Sequence, residues 1–338
     1  MSRAAVIGAG SWGTALAKLL GEKGHRVRVW SYEASVAEQL RERRVNEVYL
    51  PGIEVPAEIE VSTELADTLE GAELVIAVVP SHAFREVMKA AASYVPQGAI
   101  VLSATKGIEV DTLKRPSQIL AELLPDNPSP AVLSGPTFAR EVAEGDPTAI
   151  AVASRDPDVA RHAQHFVNTD RFRVYTNEDV LGVELAGALK NVIALAAGIA
   201  DGLRYRSNSR AALITRGLAE MTRLGLAMGA RASTFAGLAG LGDLVLTCSS
   251  DLSRNRTVGV RLGRGEMLEE ILASMRMVAE GVRTTKAARQ LARTHKVEMP
   301  IVEEVHHILF EGKSPKRATA DLMLRSPKPE LWGGTDAT

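Results

Sequence analysis

Short runs of β-branched and other apolar residues recur through the first half of the chain, with helix-like segments between them. Runs that are apolar without alternation are typical of strands buried on both faces of a sheet, with helices covering those faces. The pattern therefore predicts a doubly wound α/β fold with a parallel sheet. The predicted strands are 4–7, 27–30, 74–79, 99–102, 131–133, 149–153 and an edge strand at 172–175.

The second half has a different pattern, because the β signal almost disappears and apolar residues recur at helical spacing. Helices are predicted at 180–200, at 210–228 and from about Met267. Glycines interrupt this helical pattern and mark candidate site loops; they are Gly237, Gly240, Gly242, Gly263 and Gly265. The 338 residues suit two domains, a sheet domain at 1–178 and a helical domain at 179–338.

Composition excludes several classes of protein. The 46% hydrophobic and 24% charged residues are typical of a globular protein, and 40 basic against 41 acidic residues leave no net field to attract nucleic acid or an acidic membrane. The single cysteine, Cys248, has no disulfide partner, which favours a reducing compartment. The N-terminus has the pattern of a strand, and the longest uncharged stretches fall short of the roughly 20 residues of a membrane span. We therefore expect a cytoplasmic protein without a membrane span.

Residues 8–13 read Gly-Ala-Gly-Ser-Trp-Gly, directly after the first predicted strand and at the start of a helix at 14–20. This is the G-x-G-x-x-G pattern of dinucleotide sites in its required context. Gly8 and Gly10 would allow a tight turn and a close approach to pyrophosphate, Gly13 would let the helix pack on the strand, and the helix N-terminus would offer N–H groups. The alternative is a glycine turn without a ligand.

The end of the second strand bears on the choice of cofactor. An acid there would bind the adenosine ribose and repel a 2′-phosphate, but Ser31 and Tyr32 occupy the place, and Glu33 is expected to begin the next helix. The missing acid permits NADP, so NADPH is slightly favoured over NADH, although no arginine at these positions selects it. A solvated helical face is the expected role of the arginines that follow, Arg41, Arg43 and Arg44.

Two lysines are candidates for chemistry. Lys190 lies inside a mostly apolar helical segment, and burial lowers the pKa of a lysine so that it can act as a general base; the alternative is a lysine whose stem covers apolar surface. Lys106 follows a strand at the carboxyl edge of the sheet, where ligands bind in such folds. Its alternative is an ordinary loop lysine.

A third group of candidates surrounds the glycine interruptions. Asp243 stands in a glycine-rich apolar turn, and Ser253, Arg254 and Asn255 follow as a possible fork for a phosphate. The alternatives are a helix cap for Asp243 and a solvated loop for the others. No metal site is expected; surface or packing roles are assigned to His162, His165, His306 and His307.

Seven motifs in this order resemble the bacterial NAD(P)-dependent glycerol-3-phosphate dehydrogenases, and the resemblance runs from Val6 to about Gly312. The motifs are Gly-Ala-Gly-Ser-Trp-Gly-Thr-Ala at 8–15, Val-Pro-Ser-His at 79–82, Ala-Thr-Lys-Gly at 104–107, Ser-Gly-Pro-Thr-Phe-Ala at 134–139, Leu-Lys-Asn-Val at 189–192, Leu-Ala-Gly-Leu-Gly-Asp-Leu at 238–244 and Ser-Arg-Asn-Arg at 253–256.

The resemblance implies a Rossmann domain followed by a helical domain like the C-terminal domain of 6-phosphogluconate dehydrogenase. It implies an oxidoreductase that interconverts sn-glycerol 3-phosphate and dihydroxyacetone phosphate for glycerophospholipid biosynthesis, and a homodimer. Lys190 would be the proton acceptor. The implied substrate contacts are Lys106, Gly135, Thr137, Lys190, Asp243, Ser253, Arg254 and Asn255. The implied cofactor contacts are Gly8, Gly10, Ser11, Trp12, Gly13, Tyr32, Tyr49, Lys106, Ala139, Arg254, Val278 and Glu280.

Family members often carry His or Arg where Tyr32 stands, so that contact departs from the family pattern. Two other functions stay open at this point. One is a 3-hydroxyacid or 6-phosphogluconate type dehydrogenase, which can share this architecture. The other is a regulator that senses NAD(H) without turnover, since a fold alone does not fix a function.

Overall fold

The computed structural model describes residues 2–127, 129–275 and 277–330; residues 331–338, the end of the predicted helical domain, lie outside this description. The chain divides into two compact units, Met1–Glu109 with Lys114–Glu184, and Val110–Leu113 with Leu185–Thr338. The predicted order of a sheet domain and then a helical domain is confirmed. The ranges 1–178 and 179–338 stay predictions.

The strands of the described residues belong almost entirely to one sheet of the first unit. They are β1 Arg3–Ile7, β2 Arg26–Trp30, β3 Val45–Asn46, β4 Leu50–Glu54, β5 Glu60–Ser62, β6 Leu74–Ala77, β7 Ile100–Ser103, β8 Ala131–Ser134, β9 Thr148–Ala153 and β10 Phe172–Asn177. Eight of them form a sheet in the order β10-β9-β8-β7-β6-β1-β2-β5, and β3 pairs with β4. All seven predicted strands are present, with β10 at the edge as expected.

Three strands, β3, β4 and β5, were not predicted from the sequence. In β5 only Val61 is apolar, between Glu60 and Ser62, so the segment carries little strand signal. The strand forms through tertiary pairing, because β5 extends the sheet beyond β2 with Val61 opposite Val29.

The expectation of a fully parallel sheet is wrong at one pair, because β9 runs antiparallel to β8. The connection between them contains a helix of only six residues, Ala139–Glu144, which is about 9 Å long. That helix packs on the first helix and on β4, so the chain turns back at the carboxyl end of β8. The edge strand β10 then pairs parallel to β9.

Helices cover both faces of this sheet and build the second unit. They are α1 Ser11–Glu22, α2 Ala34–Glu42, α3 Leu65–Leu69, α4 Phe84–Ala91, α5 Pro116–Leu123, α6 Ala139–Glu144, α7 Pro157–Val167, α8 Val180–Gly202, α9 Ser207–Ala227, α10 Ala232–Ala236, α11 Asp243–Ser249, α12 Arg254–Gly263, α13 Leu268–Ala273, α14 Glu280–Thr294, α15 Pro300–Phe310 and α16 Pro315–Met323. A short 3₁₀ turn, Ala92–Tyr94, follows α4, and a π turn, Leu238–Gly242, precedes α11.

The sheet separates two apolar cores. Val6 and Ile76 point into one of them, and their neighbours Ile7 and Val75 point into the other, as the alternation of a strand requires. All four side chains are fully buried. Because both faces are covered, the carboxyl edge of the strands is the part of the sheet that is left to form a site.

Helix α8 is the central element of the second unit. It is long and apolar enough to cross a membrane, with a mean hydropathy of 1.6, yet 94% of the apolar window is buried within the protein, as is typical of a core helix. A Cβ at Gly198 would lie 2.1 Å from the carbonyl oxygen of Arg256, so glycine lets α12 pack directly on α8. This contact holds the start of α12 next to the last turns of α8.

Candidate active site

The turn between β1 and α1 needs glycine at two positions for steric reasons. Gly8 has a φ of +123°, and a Cβ on Gly13 would lie 1.8 Å from the carbonyl oxygen of Gly8. Gly10 differs, because a Cβ there would meet no atom within 4 Å. Its glycine is therefore not required by the protein's own packing, which leaves open space where a ligand can approach the backbone.

The start of α1 has polar groups that suit a bound anion. Ser11 and Trp12 are its first residues, and N–H groups in the first turn of a helix have no partner within the helix. The indole Nε1 of Trp12 is buried and has no hydrogen-bond partner in the described structure. A buried donor without a partner is costly, and a ligand acceptor would satisfy it. The turn therefore fits a dinucleotide.

At the end of β2, Ser31 is buried and donates from Oγ to the carbonyl oxygen of Glu33 at 2.9 Å. Tyr32 is 81% exposed and meets the Trp30 ring edge-on. Glu33 directly precedes α2, as predicted, but its side chain does not cap that helix. Its Oε1 instead accepts a hydrogen bond of 2.7 Å from the hydroxyl of Tyr49, a predicted cofactor contact.

Lys106, Gly135 and Thr137, predicted substrate contacts, lie together at the carboxyl edge of the sheet. Lys106 Nζ donates to the carbonyl oxygen of Gly135 at 2.8 Å and to Thr137 Oγ1 at 3.3 Å. Glycine is needed at 135, because a Cβ there would lie 2.9 Å from Ile150. The lysine is thus held within the site rather than extended from a solvated loop. Ala139, the first residue of α6, and Trp12 pack against the same small apolar cluster.

Lys190 is one of the most enclosed charged groups of the second unit, at 7% exposure. Its Nζ donates to Asp243 Oδ1 at 2.6 Å and to Thr247 Oγ1 at 2.7 Å. Asp243 is 1% exposed and is the first residue of α11. Lys190 and Asp243 therefore form a buried ion pair, and the interpretation of Lys190 as a lysine that only covers apolar surface is wrong. Burial raises the pKa of the neighbouring Cys248 to about 12, so this thiol stays protonated.

Ser253 and Asn255 already have partners. Ser253 Oγ caps α12 by accepting from the backbone N–H of Arg256 at 3.2 Å. Asn255 donates to Asn191 Oδ1 at 2.9 Å and accepts from the backbone N–H of Gly281 at 2.9 Å. These residues form the buried start of a helix, so the alternative of a solvated loop is wrong for them.

The predicted cofactor contacts of the second unit lie around the same helix start. Arg254 is exposed, and the carboxylate that acts on its charge is that of Glu280, the first residue of α14. Val278 is half-buried two residues earlier. Arg256 differs from Arg254, because its guanidinium is already paired: Nε donates to Asp201 Oδ2 at 2.8 Å. It is therefore less available than Arg254 to bind a phosphate. In the described ranges, no group of three or more His, Cys, Asp and Glu side chains is arranged to hold a metal ion.

Sequence reasoning missed several residues that shape these sites. Asn46 and Glu33 hold Tyr49, Thr247 holds Lys190, and Asn191 holds Asn255. Thr247 lies four residues after Asp243 on α11, so the helical period could have indicated it. Asn191, next to Lys190 in an apolar helix, is a second polar residue that needs a buried partner.

Comparison with known proteins agrees with this geometry. Residues 3–160 match the family of NAD-dependent glycerol-3-phosphate dehydrogenase N-termini, and residues 179–320 match the corresponding C-termini. The chain is 56% identical over 328 residues to a glycerol-3-phosphate dehydrogenase (NAD(P)+) of Citrifermentans bemidjiense, covering 96% of this chain and 98% of the relative. It is 55% identical over 336 residues to that of Koribacter versatilis, covering 98% and 100%.

Among solved structures, a glycerol-3-phosphate dehydrogenase from Coxiella burnetii matches with a TM-score of 0.92 and 41% identity, covering 96% of this chain and 99% of the other. The resemblance seen in the sequence is thereby confirmed over both units. The chain belongs to the NAD-dependent glycerol-3-phosphate dehydrogenase family.

Proposed function

We propose that the protein catalyses the reversible, NAD(P)H-dependent interconversion of dihydroxyacetone phosphate and sn-glycerol 3-phosphate, with Lys190 as the proton donor and acceptor. The observation that carries the role of Lys190 is its buried amine, which contacts Asp243 at 2.6 Å and Thr247 at 2.7 Å. The activity is that named for the relatives above, and a glycine turn that fits a dinucleotide supports it.

The bound nicotinamide cofactor supplies or accepts the hydride. The first unit would hold it through the turn at Gly8, Gly10 and Gly13, through the backbone N–H of Ser11, and through the Trp12 indole, whose Nε1 is buried without a partner in the described structure. The other proposed cofactor contacts are Tyr32, Tyr49, Lys106, Ala139, Arg254, Val278 and Glu280.

In the reductive direction, the Lys190 ammonium donates a proton to the C2 oxygen as that oxygen gains negative charge. In the oxidative direction, the neutral amine accepts the proton of the C2 hydroxyl. Asp243 supplies the negative charge that holds the ammonium in place, and Thr247 Oγ1 fixes the direction of Nζ. This arrangement keeps the proton carrier in one orientation within a buried environment.

For the phosphate, we assign Arg254 and the start of α12. A helix of ten residues begins there, and helix N-termini favour anions. Ser253 and Asn255 are proposed substrate contacts whose hydrogen bonds within the protein also fix this helix start. Lys106, Gly135 and Thr137 are proposed to contact the substrate from the first unit.

The test is the absorbance of the reduced nicotinamide band after the purified protein is mixed with dihydroxyacetone phosphate and either NADH or NADPH. We expect oxidation of the cofactor and the formation of glycerol 3-phosphate. Oxidation with 3-keto acids instead would favour the 3-hydroxyacid class of dehydrogenase. Cofactor binding without oxidation by any polyol phosphate or 3-keto acid would favour the nucleotide sensor.

The same proposal includes the setting of the reaction: the cytoplasm, a homodimer, and supply of glycerol 3-phosphate to glycerophospholipid synthesis. A single cysteine, buried and without a disulfide, supports a reducing compartment. Closed dimers are the commonest assembly of soluble enzymes. Light scattering of the eluting protein would give twice 36.2 kDa for the dimer.

A further inference from the structure

The residues that follow β2 lie beside the glycine turn. β1 and β2 are adjacent and parallel, and the backbone N–H of Gly8 donates to the carbonyl oxygen of Trp30, the last residue of β2, at 3.1 Å. In dinucleotide-binding folds, an acidic side chain at this place binds the adenosine ribose. Here the first carboxylate after the strand is Glu33, three residues beyond Trp30.

The carboxylate of Glu33 is held in a defined orientation. It makes no cap on α2, and Oε1 accepts from the hydroxyl of Tyr49 at 2.7 Å. Burial, together with the Glu33 carboxylate, raises the pKa of Tyr49 to about 12. The phenol is therefore protonated near neutral pH and acts as the donor to Oε1, and the second carboxylate oxygen of Glu33 can accept a hydrogen bond from a ligand.

Asn46, which is fully buried, links Tyr49 to the glycine turn by hydrogen bonds. The backbone N–H of Tyr49 donates to Asn46 Oδ1 at 3.0 Å. Asn46 Nδ2 donates to the carbonyl oxygen of Ala9 and to Thr14 Oγ1, both at 2.8 Å. One continuous network therefore joins the Glu33 carboxylate to the backbone that is expected to meet the pyrophosphate.

The arginines that follow Glu33 in the sequence stand at the other end of α2. Arg41 lies eight positions after Glu33, which is about 12 Å along a helix. Arg41 Nε donates to the carbonyl oxygen of Val61 at 2.7 Å, and Arg44 donates to that of Ile59 at 2.8 Å. Both guanidinium groups are thus directed to backbone near β5, whereas a carboxylate stands at the start of the helix.

We propose that Glu33, positioned by Tyr49 and Asn46, binds the hydroxyls of the adenosine ribose and repels a 2′-phosphate, so that this protein binds NADH more tightly than NADPH. This inference rests on the proposed function. It reverses the slight preference for NADPH expected from the sequence, where Ser31 and Tyr32 occupy the place of the acid and Glu33 is assigned to the start of the next helix. The Glu33 carboxylate stands two positions after Ser31, and the hydrogen bond from the Tyr49 hydroxyl fixes its orientation.

The test is a fluorescence titration of the purified protein with NADH and with NADPH, without substrate, which gives the dissociation constant (Kd) of each. We expect the wild type to bind NADH at least about tenfold more tightly, the effect expected from one charge-assisted hydrogen bond. In E33Q this ratio should fall about tenfold. E38Q is the matched control, because it removes the same charge from an exposed position on α2, five residues after Glu33, and should leave the ratio unchanged.

Y49F tests the positioning role separately from the charge. We expect the ratio of the two dissociation constants to fall by about threefold, less than in E33Q, because the carboxylate keeps its charge but loses its orientation. Y94F, at an exposed tyrosine, is the control. Equal weakening of NADH and NADPH binding in Y49F would mean that Tyr49 has only a structural role, which would contradict the proposed network.

A wild type that binds NADPH as tightly as NADH, or an E33Q variant with an unchanged ratio, would overturn the inference while leaving the proposed function intact. Absence of binding of either cofactor would instead contradict the proposed function itself.

Discussion

The glycine turn of the first unit (residues 8–13) and the Lys190 cluster of the second unit (Lys190, Asp243 and Thr247) differ in how far their polar groups are paired within the protein. The turn leaves a buried Trp12 Nε1 without a partner in the described structure and open space beside Gly10. The cluster pairs Lys190 with Asp243 and Thr247 inside the protein. The turn is thus complementary to a ligand that brings acceptors, whereas the cluster is already organised before any ligand arrives.

This difference teaches how the two sites divide the work. A site for a large cofactor gains affinity from donors that only the ligand satisfies. A proton carrier gains from being fixed in one orientation, since a small displacement of the reacting group costs much of the rate. The variants below test whether changes in the glycine turn lower cofactor affinity while changes in the Lys190 cluster lower turnover.

The largest effect is expected from loss of Lys190. K190A should reduce turnover with dihydroxyacetone phosphate by about 10² to 10⁴, the usual contribution of general acid–base catalysis. Because removal of one partner of a buried ion pair destabilises a protein, K190R is the second variant: arginine keeps a charge opposite Asp243 but does not release its proton. The exposed Lys286 gives the control, K286A. Near-normal turnover in both K190A and K190R would remove Lys190 from the mechanism.

A smaller effect is expected from G10A. The backbone of Gly10 has a φ of −69°, which alanine adopts readily, and the added Cβ meets no protein atom within 4 Å. The thermal unfolding midpoint should therefore stay unchanged, while the affinity for NADH falls about tenfold because the methyl group occupies the ligand's space. A loss of stability together with affinity would show that Gly10 serves the fold. The contrast is G13A, which should lower both.

The smallest effect on turnover is expected from Glu220, which is as enclosed as Lys190 but serves the fold. Its carboxylate accepts from the backbone N–H groups of Ile301 and Val302 at the start of α15, and burial raises its pKa from 4.5 to about 7. The folded state therefore prefers the protonated acid. Its contribution to stability is present below about pH 4.5 and is lost as the pH rises through about 7.

E220Q should remove this pH dependence of stability. In the wild type it amounts to a change on the order of 3 kcal/mol in the free energy of unfolding between about pH 4.5 and pH 7. The substitution should leave turnover unchanged. Denaturant unfolding at pH 4.5, 6 and 8 measures the difference between wild type and variant. A parallel pH dependence in both proteins would show that Glu220 does not titrate in this range, and a loss of turnover would place Glu220 in the site.

The sequence predicts a site well when the residues of that site are close together in the chain. The glycine turn is made of consecutive residues between a strand and a helix, so its place in the fold follows from the motif. Lys106 is predicted at the carboxyl edge of the sheet because it stands three residues after the end of β7, and it lies there with Gly135 and Thr137. The seven predicted strands were found for the same reason, since each carries its own apolar signal.

Other features depend on residues that are distant in sequence. Asn46 reaches Ala9 across 37 positions, and Lys190 reaches Asp243 across 53, so no local pattern indicates either contact. The reversal of β9 depends on how the short helix α6 packs. Glu33 is an intermediate case. It stands directly before α2, close to its predicted place, but the contact that directs its side chain comes from Tyr49, on a connection between two unpredicted strands.

The most direct test of this division of work is the dissociation constant of NADH for K190R, measured by titration beside the wild type and G10A. We predict a value within about threefold of the wild type in K190R, although its turnover is lost, and a value about tenfold higher in G10A. An affinity for NADH that falls as far in K190R as in G10A would contradict the account, because cofactor binding and proton transfer would then depend on the same group.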